Sequence, residues 1–306
     1  MSKRQIQTPM IRFDGKIPHK AFRLFHESMA TIFEVFFLHE DPDYGEQAAQ
    51  EAFRLLDRLE QELSRFIENS DINRINKLRR NQSIRIGLDA FECLKQCAEL
   101  THLTRGAFDI ALRRNCAIHC LELDETDFSV KLLSESVNLD LGGFGKGYAI
   151  DQMAKLLIEW DIGSVLIHGG RSSALALAAP PNEKGWPVTL SDPIQAGQIV
   201  SHVYLENRAL SASGLQKGSH IIDPRTRKPI EDRFAAWAST PDAATSDALS
   251  TAFMVMTFEE IKDYCARNPN AQGLVILQDK KNTLNGNRFI KFGDWDTLEQ
   301  SGSDVF

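Results

Sequence analysis

The chain has 306 residues, 25% charged and 42% apolar, with a formal net charge of -7. That length buries a sizeable core, as one large domain or two intimately packed lobes. The acidic balance argues against nucleic acid as the main partner, because neutralising phosphates needs a basic face, and no apolar run approaches a bilayer span.

The opening stretch MSKRQIQTPMIRFDGKIPHKAF has basic residues but neither the apolar core nor the small-residue cleavage site of an export signal, so a cytoplasmic location is expected. Residues 29–39 (MATIFEVFFLH) are dense in β-branched and aromatic side chains and predict a buried strand. A long amphipathic helix follows from about Gly45, with Ala49, Ala52, Phe53, Leu56, Leu59 and Leu63 as its apolar stripe. The polar, turn-rich run Ser64–Asn76 contains Phe66, an aromatic that could lie flat against a ring system; a capped loop between helices is the plainer reading. A second helix covers roughly 88–104.

Five cysteines suit a reducing compartment better than a disulfide framework. Cys116 and Cys120, with His119, make a thiolate metal site conceivable. Cys93 and Cys97 fall in a helical apolar pattern, where thiols act as small hydrophobes, and the spacing differs from that of zinc knuckles. Residues 111–136 are less regular.

The next segment is Asn138-Leu-Asp-Leu-Gly-Gly-Phe-Gly-Lys-Gly-Tyr-Ala-Ile-Asp151. Val137, Leu139 and Leu141 alternate with polar residues as on a half-buried strand. Gly142, Gly143, Gly145 and Gly147 then free the backbone, and a helix follows with Ile150, Met153, Ala154 and Leu157 on one face. Strand, glycine turn, helix start and the embedded Lys146 predict an anion site fed by unpaired amides and the helix dipole. A tight turn with a solvent-exposed lysine is the alternative. A Walker loop needs a Gly where Asp140 stands and a Ser or Thr where Gly147 stands; the Rossmann glycine spacing also differs.

Beyond Trp160 short strands are predicted at 164–168, 173–178, 187–191, 201–210, 219–223, 235–239 and 273–278, with a helical pair at about 245–267. Helices and antiparallel-looking strands mix as in an α+β fold. In Gly218-Ser-His-Ile-Ile-Asp-Pro-Arg-Thr226, His220 titrates near neutrality and could accept a proton, or serve as a core histidine. Asp223 could simply cap its own turn. In Ala244–Met254, Asp247 and Thr251 share a helix face and could supply two hard oxygens to Mg2+; a plain helix cap by Ser246 or Asp247 is the alternative.

Taken together and in order, these segments resemble the ApbE family of FAD:protein FMN transferases. Met29-Ala-Thr31 looks like its M-G-T opening, and Ser64–Asn76 like its S-x-Y-x-x-x-S-x-I-x-x-x-N. Thr104-Arg-Gly-Ala-Phe-Asp109 is similar to its G-G-A-F-D, and Asp140–Asp151 to its D-L-G-G-I-A-K-G-Y-A-V-D. His220–Thr226 resembles H-I-I-D-P-R-T, and Asp247–Thr251 D-A-L-S-T.

The resemblance implies an α+β, T-fold-related architecture of mixed sheets with packed helices. It also implies a single domain over 29–300 behind an N-terminal extension, 1–28. FAD is the implied substrate and Mg2+ the implied cofactor, the metal held by Asp247, Thr251 and the Gly145 carbonyl. FAD contacts fall to Met29, Phe66, Asp109, Gly142, Gly143, Lys146, Asp151, His220, Ile221 and Asp223. Lys146 and His220 carry the catalysis. The implied reaction attaches FMN through a phosphoester to a Thr or Ser hydroxyl of an acceptor protein and releases AMP, with no nucleic acid or membrane insertion involved.

The alternatives are an FAD pyrophosphatase giving FMN and AMP, and a non-catalytic FAD-binding protein. Departures from the family pattern are Arg171 at an acidic position, Ala212 for Thr, Gly145 for Ala, and Phe66 for Tyr.

Overall fold

The computed structural model describes residues 10–13, 21–111, 116–193, 198–215, 221–230, 232–277 and 289–299. The chain begins with β1 (Ile11–Arg12), β2 (Phe22–Ser28) and β3 (Thr31–Leu38). Next come α1 (Pro42–Leu63), the short α2 (Asp71–Asn76), β4 (Ser83–Arg85) and α3 (Leu88–Leu103). A hairpin of β5 (Leu121–Asp124) and β6 (Ser129–Leu132) precedes α4 (Gly145–Glu159). Then follow β7 (Ser164–Gly169), β8 (Ser173–Ala176), β9 (Trp186–Ser191), β10 (Ile199–Leu205), β11 (Arg208–Gly214) and β12 (Arg233–Thr240). The last elements are α5 (Ala243–Phe253), α6 (Phe258–Arg267), β13 (Gln272–Leu277) and β14 (Phe289–Phe292).

An eight-stranded sheet in the order β14-β13-β12-β11-β8-β7-β3-β2 is the frame, with every neighbouring pair antiparallel. Helices α1, α4 and α5 cover one face; the small sheet β1-β9-β10 covers the other. Strand alternation sorts the side chains between these layers. Along β11, Leu210 and Ala212 pack with Trp186, Val188 and Trp237 of the small-sheet layer. Ala209 packs with the helical core, and the Ser213 hydroxyl meets Ser250 of α5. Each large side chain buried in these layers contributes about 1.5–3 kcal/mol. The thiols of Cys93 and Cys97 are buried in α3, and burial pushes both well above the ordinary range.

Three expectations are corrected and one unexpected strand is added. Residues 137–141 form no strand: Leu139 makes one isolated bridge to Ala111. The Asn76 side chain serves as its neighbour instead, accepting from the Leu139 amide at 2.6 Å and donating to its carbonyl at 3.1 Å. The run 201–210 is broken at Asn207 (φ 48), which sends β10 to the small sheet and β11 to the large one. In the stretch 219–223, residues 219 and 220 lie outside the described residues, and Ile222 has only an isolated bridge to Pro229. Finally, β2 extends the large sheet ahead of residue 29, pairing with β3 through a two-residue turn in which Met29 (φ 50) and Ala30 (φ 57) are both left-handed.

Candidate functional site

The glycine turn is built from the chain's own backbone and one carboxylate. Asp140 accepts from the Gly142 amide at 2.9 Å, and the amides of Phe144 and Gly145 return to the Leu141 carbonyl at 2.9 and 2.7 Å. α4 starts at Gly145 without a side-chain cap from Phe144; the Gly145 amide turns back to Leu141 and the Gly147 amide goes to Asp247 of α5. Gly147 cannot be anything larger, because a Cβ there would lie 2.2 Å from the Ala243 carbonyl oxygen of α5.

That close approach brings Asp247 of α5 onto the start of α4. Its carboxylate is 3% exposed and lies 3.2 Å from Lys146 Nζ. It accepts from the Gly147 amide at 3.3 Å and from the Ser173 hydroxyl at 3.3 Å. One turn on, Thr251 Oγ1 lies 3.0 Å from Ser213 Oγ, and a Cβ on Gly143 would come within 3.0 Å of it. The structure therefore brings together Gly143, Gly145, Lys146, Asp247 and Thr251. A carboxylate, a hydroxyl, an ammonium and backbone left bare by glycines meet in one small space. That donor set suits a hard divalent cation beside a phosphate.

The flanks carry the other expected residues. Phe66 is 82% exposed, with the Arg65 guanidinium 4.5 Å from its ring centroid. Arg65 also pairs with Asp140 at 3.3 Å, so the ring is tied to the glycine turn. Asp109 holds its own loop by accepting from the amides of Ala111 (2.8 Å) and Ile118 (3.2 Å), and burial raises its carboxyl pKa. Asp223 accepts from the Arg225 amide at 2.8 Å and pairs with the Arg225 guanidinium, which reaches Glu260 at 2.8 Å. The Arg225 side chain also passes Gly106, linking this turn to the 104–109 loop. Ile221 is buried, and Met29 packs half-buried on the helical core.

Asp151 points at protein rather than open space. Its two oxygens accept from the amides of Ala243 and Ala244 at 2.7 and 2.8 Å, and burial pushes its carboxyl up to about 7. His220 lies outside the described residues.

Sequence reasoning missed Ser173 and the Arg65–Asp140 link. The bond of Ser213 to Thr251 depends on how β11 sits under α5. Ala212, by contrast, faces the small-sheet layer, so the hydroxyl absent there is absent from the opposite face of β11 to Ser213.

The profile of the ApbE family matches residues 29–275. The FAD:protein FMN transferase of Chlamydia muridarum is 25% identical over 264 residues, covering 70% of this chain and 77% of that protein. The Haemophilus influenzae protein of the same name is 22% identical over 305 residues, covering 85% and 88%. Among solved structures, the apo Pseudomonas stutzeri flavinyl transferase ApbE superposes with a TM-score of 0.78 at 20% identity, covering 92% of this chain and 98% of that one. Among the described residues no helix is long and apolar enough to cross a membrane.

Proposed function

The chain belongs to the ApbE family, and we propose that it transfers the FMN half of FAD to a Thr or Ser hydroxyl of an acceptor protein, releasing AMP, with Mg2+ as its metal. The supporting observation is Asp247, nearly sealed from water yet held 3.2 Å from Lys146 and 3.3 Å from the first-turn amide of Gly147. A buried carboxylate at the positive end of a helix, with a hydroxyl one turn away and a glycine turn above it, fits a metal–diphosphate site better than a structural ion pair.

Asp247, Thr251 and the Gly145 carbonyl would hold Mg2+, which would neutralise charge on the diphosphate. Gly142 and Gly143 allow the diphosphate to approach the backbone, and Lys146 donates to its oxygens as negative charge grows. The acceptor hydroxyl forms a bond to the FMN-side phosphorus while the bridging P–O bond breaks, and AMP leaves with the bridging oxygen. The hydroxyl proton goes to a base; His220 is the proposed acceptor on the strength of its motif. Phe66, tied to the turn through Arg65, offers a ring for the isoalloxazine, with Met29, Asp109, Ile221 and Asp223 on the flanks.

The test is to incubate the protein with FAD and Mg2+, with and without Thr-containing acceptor proteins, and to follow AMP and flavin attachment by mass spectrometry. AMP release that depends on an acceptor, with FMN mass added to it, supports transfer. AMP release without an acceptor means hydrolysis, and FAD retained without AMP means a binding protein; either result overturns the transferase reading.

A further inference from the structure

α5 begins with four amides that the helix cannot satisfy from within. One is met by its own cap: the Asp242 carboxylate takes the Thr245 amide at 2.7 Å, while the Asp242 carbonyl accepts the first intrahelical bond, from Ser246, at 3.2 Å. The first two, Ala243 and Ala244, donate to Asp151 on another helix. One turn before Asp151 on α4, Gly147 admits the Ala243 carbonyl where a Cβ would stand and donates its amide to Asp247. Gly147 and Asp151 thus grip α5 at two points, its backbone start and the Asp247 side chain.

We propose that Asp151 is a positioning residue whose carboxylate fixes the axial placement of α5 against the start of α4, and so the places from which Asp247 and Thr251 present their oxygens to a divalent cation. The inference rests on the reading of Asp247 and Thr251 as metal ligands. Two parallel amide–carboxylate bonds resist both sliding and rotation of α5, where one bond would leave a pivot. Their strength comes from a charged acceptor facing a helix N-terminus. Mg2+ tolerates little error, since it demands near-octahedral oxygens at about 2.0–2.1 Å. Residues that orient metal ligands without touching the metal typically alter affinity by about 10–100-fold.

The experiment is Mn2+ binding to the full chain without FAD, followed by the electron paramagnetic resonance of the free ion. Asp151→Asn, which keeps the shape but replaces one acceptor with an NH2 group, is expected to weaken Mn2+ at least about tenfold while circular dichroism stays native. Asp242→Ala removes the cap of the same helical turn from within the same segment; it is expected to lower the melting temperature but keep Mn2+ affinity within about threefold. Asp151→Glu, which restores the carboxylate, recovers part of the loss.

Native Mn2+ affinity in D151N, or an equal loss in D242A, overturns the proposal. Should D151N not fold, Asp151→Ser, a shorter capping side chain, is measured with the same expectation. A distinct failure is Asp247→Ala binding Mn2+ as the native chain does, which sinks the metal reading itself. If Asp151 instead contacts FAD directly, D151N weakens metal-free ADP binding and leaves Mn2+ unchanged.

Discussion

Gly147 and Ala243 touch so closely that α4 and α5 meet backbone to backbone: a Cβ on Gly147 would stand 2.2 Å from the Ala243 carbonyl oxygen and 2.8 Å from the Ala244 Cα. Neither obstacle is a side chain that can rotate away. Gly147→Ala is therefore expected to cost about 3 kcal/mol of stability, the upper end for overpacking. It should also weaken metal binding by pushing α5 off the helix start. Urea unfolding and Mn2+ titration check both; a native midpoint would mean the helices part easily.

Asp247→Ala should remove AMP release from FAD, because the variant loses a carboxylate aimed at the start of α4. Its loss leaves Lys146 without that partner and the Ser173 hydroxyl without its acceptor. The fold should survive with a lower melting temperature. Full AMP release in this variant, measured by chromatography at saturating Mg2+, would refute the metal assignment.

Ala30 occupies the left-handed region at φ 57, in a turn where the family pattern has glycine. A residue with a Cβ there costs about 1–2 kcal/mol, and glycine gives part of that back to unfolded-chain entropy. Ala30→Gly is expected to stabilise the protein by about 1 kcal/mol in denaturant unfolding, with activity unchanged.

Glu34 on β3 sits beside the His168 ring on β7 and pairs with Arg23; the hydrogen bond from His168 is the largest cause that brings its carboxyl down to about 2. A folded-state value below the unfolded one means stability that is fully present above about 4.5 and is lost as pH falls toward 2. The stability gap between the native chain and Glu34→Gln should therefore shrink over that interval. A constant gap across it would show that Glu34 gains nothing from its neighbours.

Asn76→Ala tests the side chain that stands in for a strand. It removes the partners of both the Leu139 amide and carbonyl. A cost of about 2–3 kcal/mol is expected from leaving such groups unpaired, and Asn76→Asp should recover part of it by keeping the acceptor for the amide. Hydrogen exchange at Leu139 reads the effect directly.

Much of the candidate site's geometry was legible because it is local in sequence. The glycines at 142–147 announce a turn at a helix start, and the four-residue spacing of Asp247 and Thr251 puts them on one face in any α-helix. What escaped depends on distant pairing. Ser173 reaches Asp247 only because β8 pairs with β11 beneath α5. β2 was passed over because Arg23 and Glu27 alternate with Phe22 and Leu24 in a strand at the sheet edge, where polar residues are ordinary. Val137, Leu139 and Leu141 do alternate and are buried, yet the ladder beside them is a side-chain amide, which no periodicity reveals. Asp151 lies just after the glycine-rich turn, and only its distance to Ala243 shows which way it faces.

The sorting of side chains along β11 separates two kinds of substitution in a single strand. Leu210 and Ala212 belong to the layer shared with Trp186 and Trp237, while Ser213 belongs with Ser250 and Thr251. A change at an even-numbered position such as Ala212 is therefore absorbed by the small-sheet layer, while Ser213 keeps its hydroxyl contacts with α5. A motif read letter by letter thus mixes two faces of one strand that answer to different layers.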